Sequence, residues 1–399
     1  MNSDQRLLLS VLSAAIRGQK FTEVTKGANW QTVFEIAKAH NIQTLLYPAV
    51  KNFSNGEGPD SELLAKWKKE FFLSVSAQVQ HIENVARILE SFTDAGVSVI
   101  VVKGLILRNF YPQKELRTMQ DADILVHKKD IDLLNSILVG ADYYEDGKNS
   151  KHVMYSHETF LPIEVHTSLI NKDIFKNASD FEEDFWRNAS PIKLFNATVL
   201  VPSTEDHLLY LCLHMAEHFL SFGFGLRQLC DLVIFIEAKS NSINWTTFWA
   251  KSKELGIKRF ICILLVVCNQ LFGMDIDQIP DFQKPDVDSQ LNFFINTIIE
   301  GGEFGQKTTE RNIENSFLRY SSNQSTNKSI LSFFFPPTKT LREKYSYASR
   351  YPILTPVAWI HRFVFNVSSK NFLSKIKIAS NINKAPTDLT KLLQWLELK

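Results

Sequence analysis

The sequence lacks the cysteine patterns that mark disulfide-rich or zinc-binding proteins. It has 4 cysteines in 399 residues and no CxxC pair. A disulfide framework and a cysteine-ligated zinc ion are therefore both poorly supported. The cysteines lie in apolar segments typical of helices, which fits buried free thiols in a reducing compartment better. They are Cys212, Cys230, Cys262 and Cys268.

Long hydrophobic runs are also missing. The longest, such as residues 260–268, fall far short of the roughly 20 residues that span a bilayer. At the N-terminus an acidic residue precedes a short apolar stretch that Arg17 soon interrupts, which makes a poor signal peptide. We therefore expect a cytoplasmic protein with no membrane partner.

Neither sign of charge is in excess. The chain has 44 basic and 43 acidic residues and a net charge of +1, which gives no global reason to bind nucleic acid or an acidic membrane. A long nucleic acid is the less favoured substrate, although a local basic groove would escape this count. The composition, 45% hydrophobic with few glycines and prolines, is that of a folded chain. Its length predicts two or three domains.

The apolar pattern divides the chain into three regions. Residues 1–95 carry apolar side chains every three or four positions, as helices do. Residues 96–202 alternate between strand-like and helix-like segments, and residues 203–399 are mainly helical, with a polar and irregular stretch from about 275 to 350. The hydrophobic segments 330–337 and 351–365 are expected to dock on another part of the protein. The predicted fold class is α+β, with helical regions flanking a central core.

The central region has clear strand signals. Gly96 is expected to end the preceding helix, and residues 97–103 form a β-branched run typical of a strand buried on both faces. Gly104 then turns the chain into a short helix that Pro112 stops. The remaining predicted elements are a strand at 121–126, a helix at 128–138 and a pair of antiparallel strands at 152–160 and 161–169.

Two aspartates open the second of these strands. The sequence contains four D-x-D triplets, so the triplet alone carries almost no information. Side chains at i and i+2 share a face only on a strand, where both carboxylates can reach one cation. Asp121 and Asp123 meet this condition, whereas the other triplets fall on a helix or in loops. A solvated edge strand whose acidic residues prevent aggregation is the alternative.

Glu164 favours the metal interpretation. It lies in the middle of the apolar segment 161–169, where an unpaired carboxylate is costly to bury. Two strands that each carry misplaced acids are better explained by a shared cation. Three carboxylates suit Mg²⁺, with substrate phosphates completing its octahedral shell, and two such ions could activate a hydroxyl and stabilise pyrophosphate as it leaves.

Basic residues near the aspartates could bind the phosphates. Lys103 and Gly104 lie at a strand-to-helix turn, where glycine permits close backbone approach, the following helix offers N-terminal amides and lysine adds a charge. Arg117 could supply a second phosphate contact. A solvated lysine and a surface arginine are the alternatives.

These motifs resemble the nucleotidyltransferase superfamily of the DNA polymerase beta type. More closely, the chain is similar to the bacterial group described as uncharacterised nucleotidyltransferase family proteins, which carry K-G, R, D-x-D and later an acidic residue followed by His. The matching residues are Lys103 and Gly104, Arg117, Asp121 to Asp123, and Glu164 with His166. The similarity covers most of the chain. The wider superfamily has Gly-Ser or Gly-Gly in place of Lys-Gly, with a shorter connection to the aspartates.

The resemblance implies a small mixed-sheet nucleotidyltransferase core at 96–202. It implies that Asp121, Asp123 and Glu164 are the catalytic residues and hold Mg²⁺ or Mn²⁺. Lys103, Gly104, Arg117 and His166 would bind the nucleotide. The reaction would move a nucleoside monophosphate from an NTP such as ATP onto a sugar, a small metabolite or a protein, with release of pyrophosphate.

Three alternatives stay open. His166 could be a packed core histidine, and the whole protein could be a nucleotide-binding or interaction module that has lost its chemistry. His214 and His218 have the i, i+4 spacing of a zinc site, but the order of residues between them is not that of the H-E-x-x-H motif. With Arg227 and Asp231 these histidines would line the cleft or form a buried polar network.

Overall fold

Helices give way to strands at Gly96, as the sequence pattern predicts. The computed structural model describes residues 1–21, 27, 29–51, 58–149, 151–172, 174–175, 177–302, 346–367 and 388–398. The N-terminal helices are α1 (Ser3–Ile16), α2 (Trp30–Ala39), α3 (Gln43–Val50) and α4 (Ser61–Asp94). Asn2, Asn29 and Asp60 cap the first, second and fourth of these through their side chains. Gly96 then takes the positive φ of 72° that ends α4.

The strands form one mixed sheet in the described part of the chain. Its seven strands are β1 (Val99–Val101), β2 (Ala122–Val126), β3 (Tyr144–Lys148), β4 (His152–Ser156), β5 (Ile163–His166), β6 (Ser190–Leu194) and β7 (Ala197–Val201). They lie in the order β3-β4-β5-β2-β1-β7-β6, in which β1/β7 and β2/β5 are parallel pairs. The α+β fold class is thus confirmed, and the predicted antiparallel pair corresponds to β4 and β5.

Three strands had not been predicted, and their composition explains why. Every residue of β3 is exposed, so no alternation between apolar and polar side chains marks it. The short hairpin of β6 and β7 turns at Phe195, whose φ of 56° is rare for an aromatic residue. It carries none of the usual Asn-Gly or Asp-Gly turn signals.

The two faces of the sheet have different neighbours. One face packs its alternate residues, such as Val99, Ile124 and Val165, against the C-terminal half of α4 and against α6 (Ile131–Gly140) to form a hydrophobic core. The short helix α5 (Gly104–Leu107) follows β1, as predicted. The opposite face carries Asp123, Glu164 and His166, which alternate with these core residues along their strands.

Helices follow the sheet. They are α7 (Ala178–Arg187), which precedes β6, and then α8 (Thr204–Ser221), α9 (Leu226–Lys239), α10 (Trp245–Glu254), α11 (Lys258–Phe272) and α12 (Ser289–Gly301). The last of these lies within the stretch predicted to be irregular. It buries Leu291, Phe294, Ile295, Ile298 and Ile299, whose spacing is that of a helix, so this part of the expectation is wrong.

The chain divides into two compact units. The first comprises residues 1–217 and 224–303, and the second comprises residues 218–223 and 304–399. The helices of the second unit after residue 304 include α13 (Ser346–Arg350), α14 (Thr355–Val367) and α15 (Asp388–Trp395). The hydrophobic segment 330–337 lies outside the described residues. The division into regions 1–95, 96–202 and 203–399 stays a prediction.

Two further expectations can be compared with the structure. All four cysteines are buried and free, as predicted. None of the described helices combines the length and apolar composition needed to cross a membrane.

Buried neutral histidines link the helices of the first unit. His40, at the end of α2, accepts the backbone N–H of Leu226 at Nδ1 (3.1 Å), so Nε2 carries the proton and donates to the carbonyl of Ile299 (2.9 Å). Burial lowers its pKa to about 4, against a small opposing effect of the Ile299 bond. Burial likewise lowers the pKa of His81 and of His207 to about 4.

We expect the buried histidines to make this unit less stable below about pH 6.5. A histidine whose pKa is lower in the folded than in the unfolded state loses stability as the pH falls from about 6.5 towards 4, by up to about 1.4 kcal/mol per pH unit for each group. Urea unfolding at pH 7 and pH 5 should show a smaller loss for His40→Asn than for the wild type. Equal losses in the two proteins would contradict this role of His40.

Candidate functional site

The predicted carboxylates meet on one face of the sheet. Strands β2 and β5 are parallel and in register, so that Asp123 lies directly opposite Glu164. Asp121 precedes Asp123 by two residues and lies on the same side. One oxygen from each of the three carboxylates lies within 4.8 Å of the other two. This spacing fits a single hard cation bridged by all three side chains.

Asp121 has no directly bonded partner. Its carboxylate forms no hydrogen bond or ion pair with any described residue. Burial and then the charge of Asp123 raise its pKa to about 6, while Lys103 opposes this shift. Such a carboxylate is costly to hold ionised beside two others. A divalent cation would relieve that cost, so the donor set fits a metal ion.

Asp123 is held by two basic side chains. Its Oδ1 atom accepts hydrogen bonds from Lys103 Nζ (2.6 Å) and from His166 Nε2 (3.0 Å). Burial alone lowers the pKa of Lys103, but the charge of Asp123 outweighs it and the pKa lies well above the usual value. Burial also lowers the pKa of His166, and its bonds to Asp123 and Glu164 likewise raise it overall. Lys103 is therefore protonated, and its ammonium binds a carboxylate of the type that binds metal ions.

Glu164 is fixed by a histidine that sequence reasoning missed. His152 on β4 places Nδ1 2.8 Å from Glu164 Oε1. Asn149 Oδ1 accepts the backbone N–H groups of Lys151 and His152, so its Nδ2 must donate to His152 Nε2 (2.9 Å). That bond puts the imidazole proton on Nδ1, from which it is donated to Glu164. Burial raises the pKa of Glu164, but the bonds from His152 and His166 hold it well below its usual range.

The Lys-Gly turn is shaped by packing. Lys103 has a φ of 49°, which is unusual for a lysine, and α5 after it is a single turn. A Cβ atom on Gly104 would lie 2.5 Å from Arg117 Nη1 and 2.6 Å from Met119 Sδ. A side chain at position 104 would therefore displace Arg117 or Met119, so protein neighbours favour glycine here. Phosphate binding at Gly104 stays a prediction.

Arg117 belongs to a buried ion pair. Its Nε and Nη2 atoms donate to the carboxylate of Asp231 on α9, at 3.1 and 2.7 Å, and Tyr111 donates to the same carboxylate at 2.8 Å. Arg227 donates to the carbonyl of Thr118 (2.9 Å). Arg227 and Asp231 therefore take part in a buried polar network, which was one of the two expectations. Nucleotide binding by Arg117 stays a prediction. Its guanidinium already binds the carboxylate of Asp231.

Residues outside the predicted motifs position the site. Gln78 of α4 pairs through its side-chain amide with both the N–H and the C=O of Met119 (2.9 Å each), which fixes the chain two residues before Asp121. On α8, Glu217 accepts Lys151 Nζ (2.7 Å) and the backbone N–H of Asn171 (2.5 Å). These contacts join distant segments, so no local pattern could have revealed them.

A second group of possible metal ligands shares Glu164. It consists of His152, Glu164 and His166, and it is the other such group formed by the described residues. Neither group contains His214 or His218. The bond from Asn149 makes His152 a donor to Glu164 and leaves no lone pair on its Nδ1 for a metal ion.

A family model matches more than half of the chain. The model of a family described as uncharacterised nucleotidyltransferases matches residues 26–273, which include the whole sheet. The chain belongs to this family. It is therefore a nucleotidyltransferase, and the resemblance inferred from the motifs is confirmed.

The similarity of the nucleotidyltransferase to a solved structure is weak. The crystal structure of the lincosamide antibiotic adenylyltransferase LnuA with lincomycin bound is 16% identical to it, covering 38% of this chain and 94% of that chain with a TM-score of 0.29. Similarity at this level carries no argument about this protein. No curated protein is detectably similar in sequence.

Charge repulsion in the nucleotidyltransferase should be measurable without substrate. We expect Asp121→Asn to raise the free energy of unfolding by about 1–3 kcal/mol at pH 8 in EDTA, because it removes one of three clustered negative charges. The gain should shrink below pH 6, where Asp121 of the wild type becomes protonated. Denaturant titrations at both pH values test this.

Asp132→Asn provides the matched control. Asp132 belongs to another D-x-D triplet, on α6, and is exposed. We expect this substitution to change stability by less than about 0.5 kcal/mol. A loss of stability in Asp121→Asn would mean that the carboxylate has a stabilising partner, contrary to the geometry described above.

Proposed function

We propose that the protein transfers a nucleoside monophosphate from an NTP to an acceptor hydroxyl, with a divalent cation bound by Asp121, Asp123 and Glu164. The observation that carries this proposal is the convergence of three carboxylates, one of which, Asp121, forms no hydrogen bond or ion pair with any described residue. Mg²⁺ is the expected ion because all three donors are oxygens, and Mn²⁺ could replace it. When bound, the cation would orient the phosphates and increase the acidity of the acceptor hydroxyl.

The protein's own groups have distinct roles in this proposal. The acceptor oxygen forms a bond to the α-phosphorus as the bond from this phosphorus to the bridging oxygen breaks, and pyrophosphate leaves. Glu164, whose orientation His152 fixes, binds the cation and accepts a hydrogen bond from the acceptor hydroxyl, whose proton is released to solvent as the new bond forms. Lys103 leaves Asp123 to bind a phosphate, and His166 stabilises negative charge beside it. Gly104 and Arg117 shape the turn that carries Lys103.

A cleft beside the carboxylates is our candidate for the acceptor site. It has a volume of about 240 Å³. Two of its lining residues are close in sequence to the site. Leu125 lies two residues beyond Asp123 in β2, and Thr167 directly follows His166. The other lining residues are Lys172, Ser179, Glu182, Glu183 and Trp186. This mixed polar lining fits a small polar acceptor, such as a sugar or another metabolite, better than a polymer.

A second candidate function is nucleotide binding without turnover. The Lys103 ammonium lies 2.6 Å from Asp123 and could replace the cation permanently instead of moving to a phosphate. On this alternative, nucleotide would bind equally well with and without Mg²⁺. The experiment below separates the two candidates.

We expect one or more NTPs to raise the melting temperature of the wild type only when Mg²⁺ is present. Asp123→Asn should abolish this shift and lower pyrophosphate release by at least about 1,000-fold, because it removes a ligand of the cation. Thermal shift with each NTP, followed by pyrophosphate release with pools of sugars, metabolites and proteins, measures both effects.

Asp132→Asn serves as the control and should behave like the wild type in both assays. Full activity in Asp123→Asn would contradict the proposal. Mg²⁺-independent nucleotide binding without pyrophosphate release from any pool would favour the binding module.

A further inference from the structure

Tyr210 is a fully buried tyrosine beside the carboxylate site. It lies on α8 with 0% of its surface exposed. Its ring contacts those of Phe185 and His214, at centroid distances of 5.8 and 5.9 Å. Lys103 Nζ lies 5.8 Å from its ring centroid. The residue that binds Asp123 therefore also lies against this aromatic ring.

The hydroxyl of Tyr210 has no hydrogen-bond partner among the described residues. Other buried tyrosines of this unit differ, since Tyr111 donates to Asp231, Tyr143 to the carbonyl of Leu161 and Tyr155 to Asn135. A buried hydroxyl without a partner is destabilising, and such groups in native structures call for an explanation. A ligand that supplies the missing acceptor is one.

The charges around this hydroxyl indicate which ligand would fit. Burial raises the pKa of Tyr210, Lys103 opposes the shift, and Asp123 and Glu164 add to it. The hydroxyl is therefore protonated at neutral pH and can donate. A hydroxyl donor on a ring whose centroid lies 5.8 Å from a lysine ammonium, together with that ammonium, suits an anionic group. A cation held by the nearby carboxylates would bring phosphate oxygens to this place.

We infer that Tyr210 donates a hydrogen bond to a phosphate oxygen of the bound NTP, next to Lys103. The inference rests on the proposed function, since it assumes a nucleotide at the carboxylates. In the proposed function Lys103 leaves Asp123 to bind a phosphate, and Tyr210 donates to an oxygen of the same phosphate group. A nucleobase fits less well, because the ring of Tyr210 is already packed against other side chains.

Tyr210→Phe gives effects of opposite sign on stability and binding. Without ligand, its melting temperature should equal or exceed that of the wild type, because a buried hydroxyl without a partner is removed. Its affinity for the NTP identified by thermal shift, with Mg²⁺, should fall by about 10- to 100-fold, as expected for losing a hydrogen bond to a charged group. Mg²⁺ with inorganic tripolyphosphate should show a similar loss, because the contact is to phosphate. Calorimetric titration measures both affinities.

Tyr143→Phe is the matched control. Tyr143 belongs to the hydrophobic core on the other face of the sheet. Its hydroxyl accepts a hydrogen bond from Asn84 (2.7 Å) and donates one to the Leu161 carbonyl (3.3 Å). This substitution should lower the melting temperature and leave both affinities unchanged. Each variant thus removes one tyrosine hydroxyl. Tyr210→Phe should weaken binding without loss of stability, and Tyr143→Phe should lower stability without loss of binding.

The outcomes separate this inference from the proposed function. Unchanged affinities in Tyr210→Phe, with a wild type that binds both probes, would overturn the inference and leave the function standing. A lower melting temperature of ligand-free Tyr210→Phe would show that the hydroxyl has a structural partner, which also overturns it. A wild type that binds neither probe would contradict the proposed function and, with it, this inference.

Discussion

Repulsion among three carboxylates is the constraint on which this site depends. The parallel register of β2 and β5 brings Asp123 opposite Glu164, and the strand period adds Asp121 on the same face. Burial makes this arrangement costly unless positive charge is close. Lys103 and His166 bind Asp123 directly, while Asp121 forms no ion pair with any described residue. The site is thus built for one more cation.

The surrounding fold keeps these groups together. Gln78 fixes the backbone before Asp121, and His152 orients Glu164 through a bond whose direction Asn149 determines. Farther away, the buried pair of Arg117 and Asp231 connects the turn before β2 with α9. A buried pair of this kind is weak evidence for stability, but breaking it leaves a charge unpaired. Removing either partner is therefore expected to destabilise the contact between this turn and α9.

Much of the site could be predicted because it follows from the strand period. Asp121, Asp123 and Glu164 stand out as acids in apolar strands, His166 follows Glu164 by two residues, and Lys103 lies just after the end of the preceding strand. His152, Gln78 and Tyr210 carry no such signal, since their relation to the carboxylates exists only after β4, α4 and α8 have packed. The same limit applies to β3, whose residues are all exposed, and to Arg117, whose partner lies 114 residues away.

Locating a bound cation tests the central claim most directly. Crystals grown with Mn²⁺ and the NTP that stabilises the protein would show the ion by anomalous scattering. We predict a peak in contact with oxygens of Asp121, Asp123 and Glu164, with Lys103 Nζ displaced from Asp123. A structure with nucleotide bound, no Mn²⁺ at these carboxylates and Lys103 still on Asp123 would contradict the account.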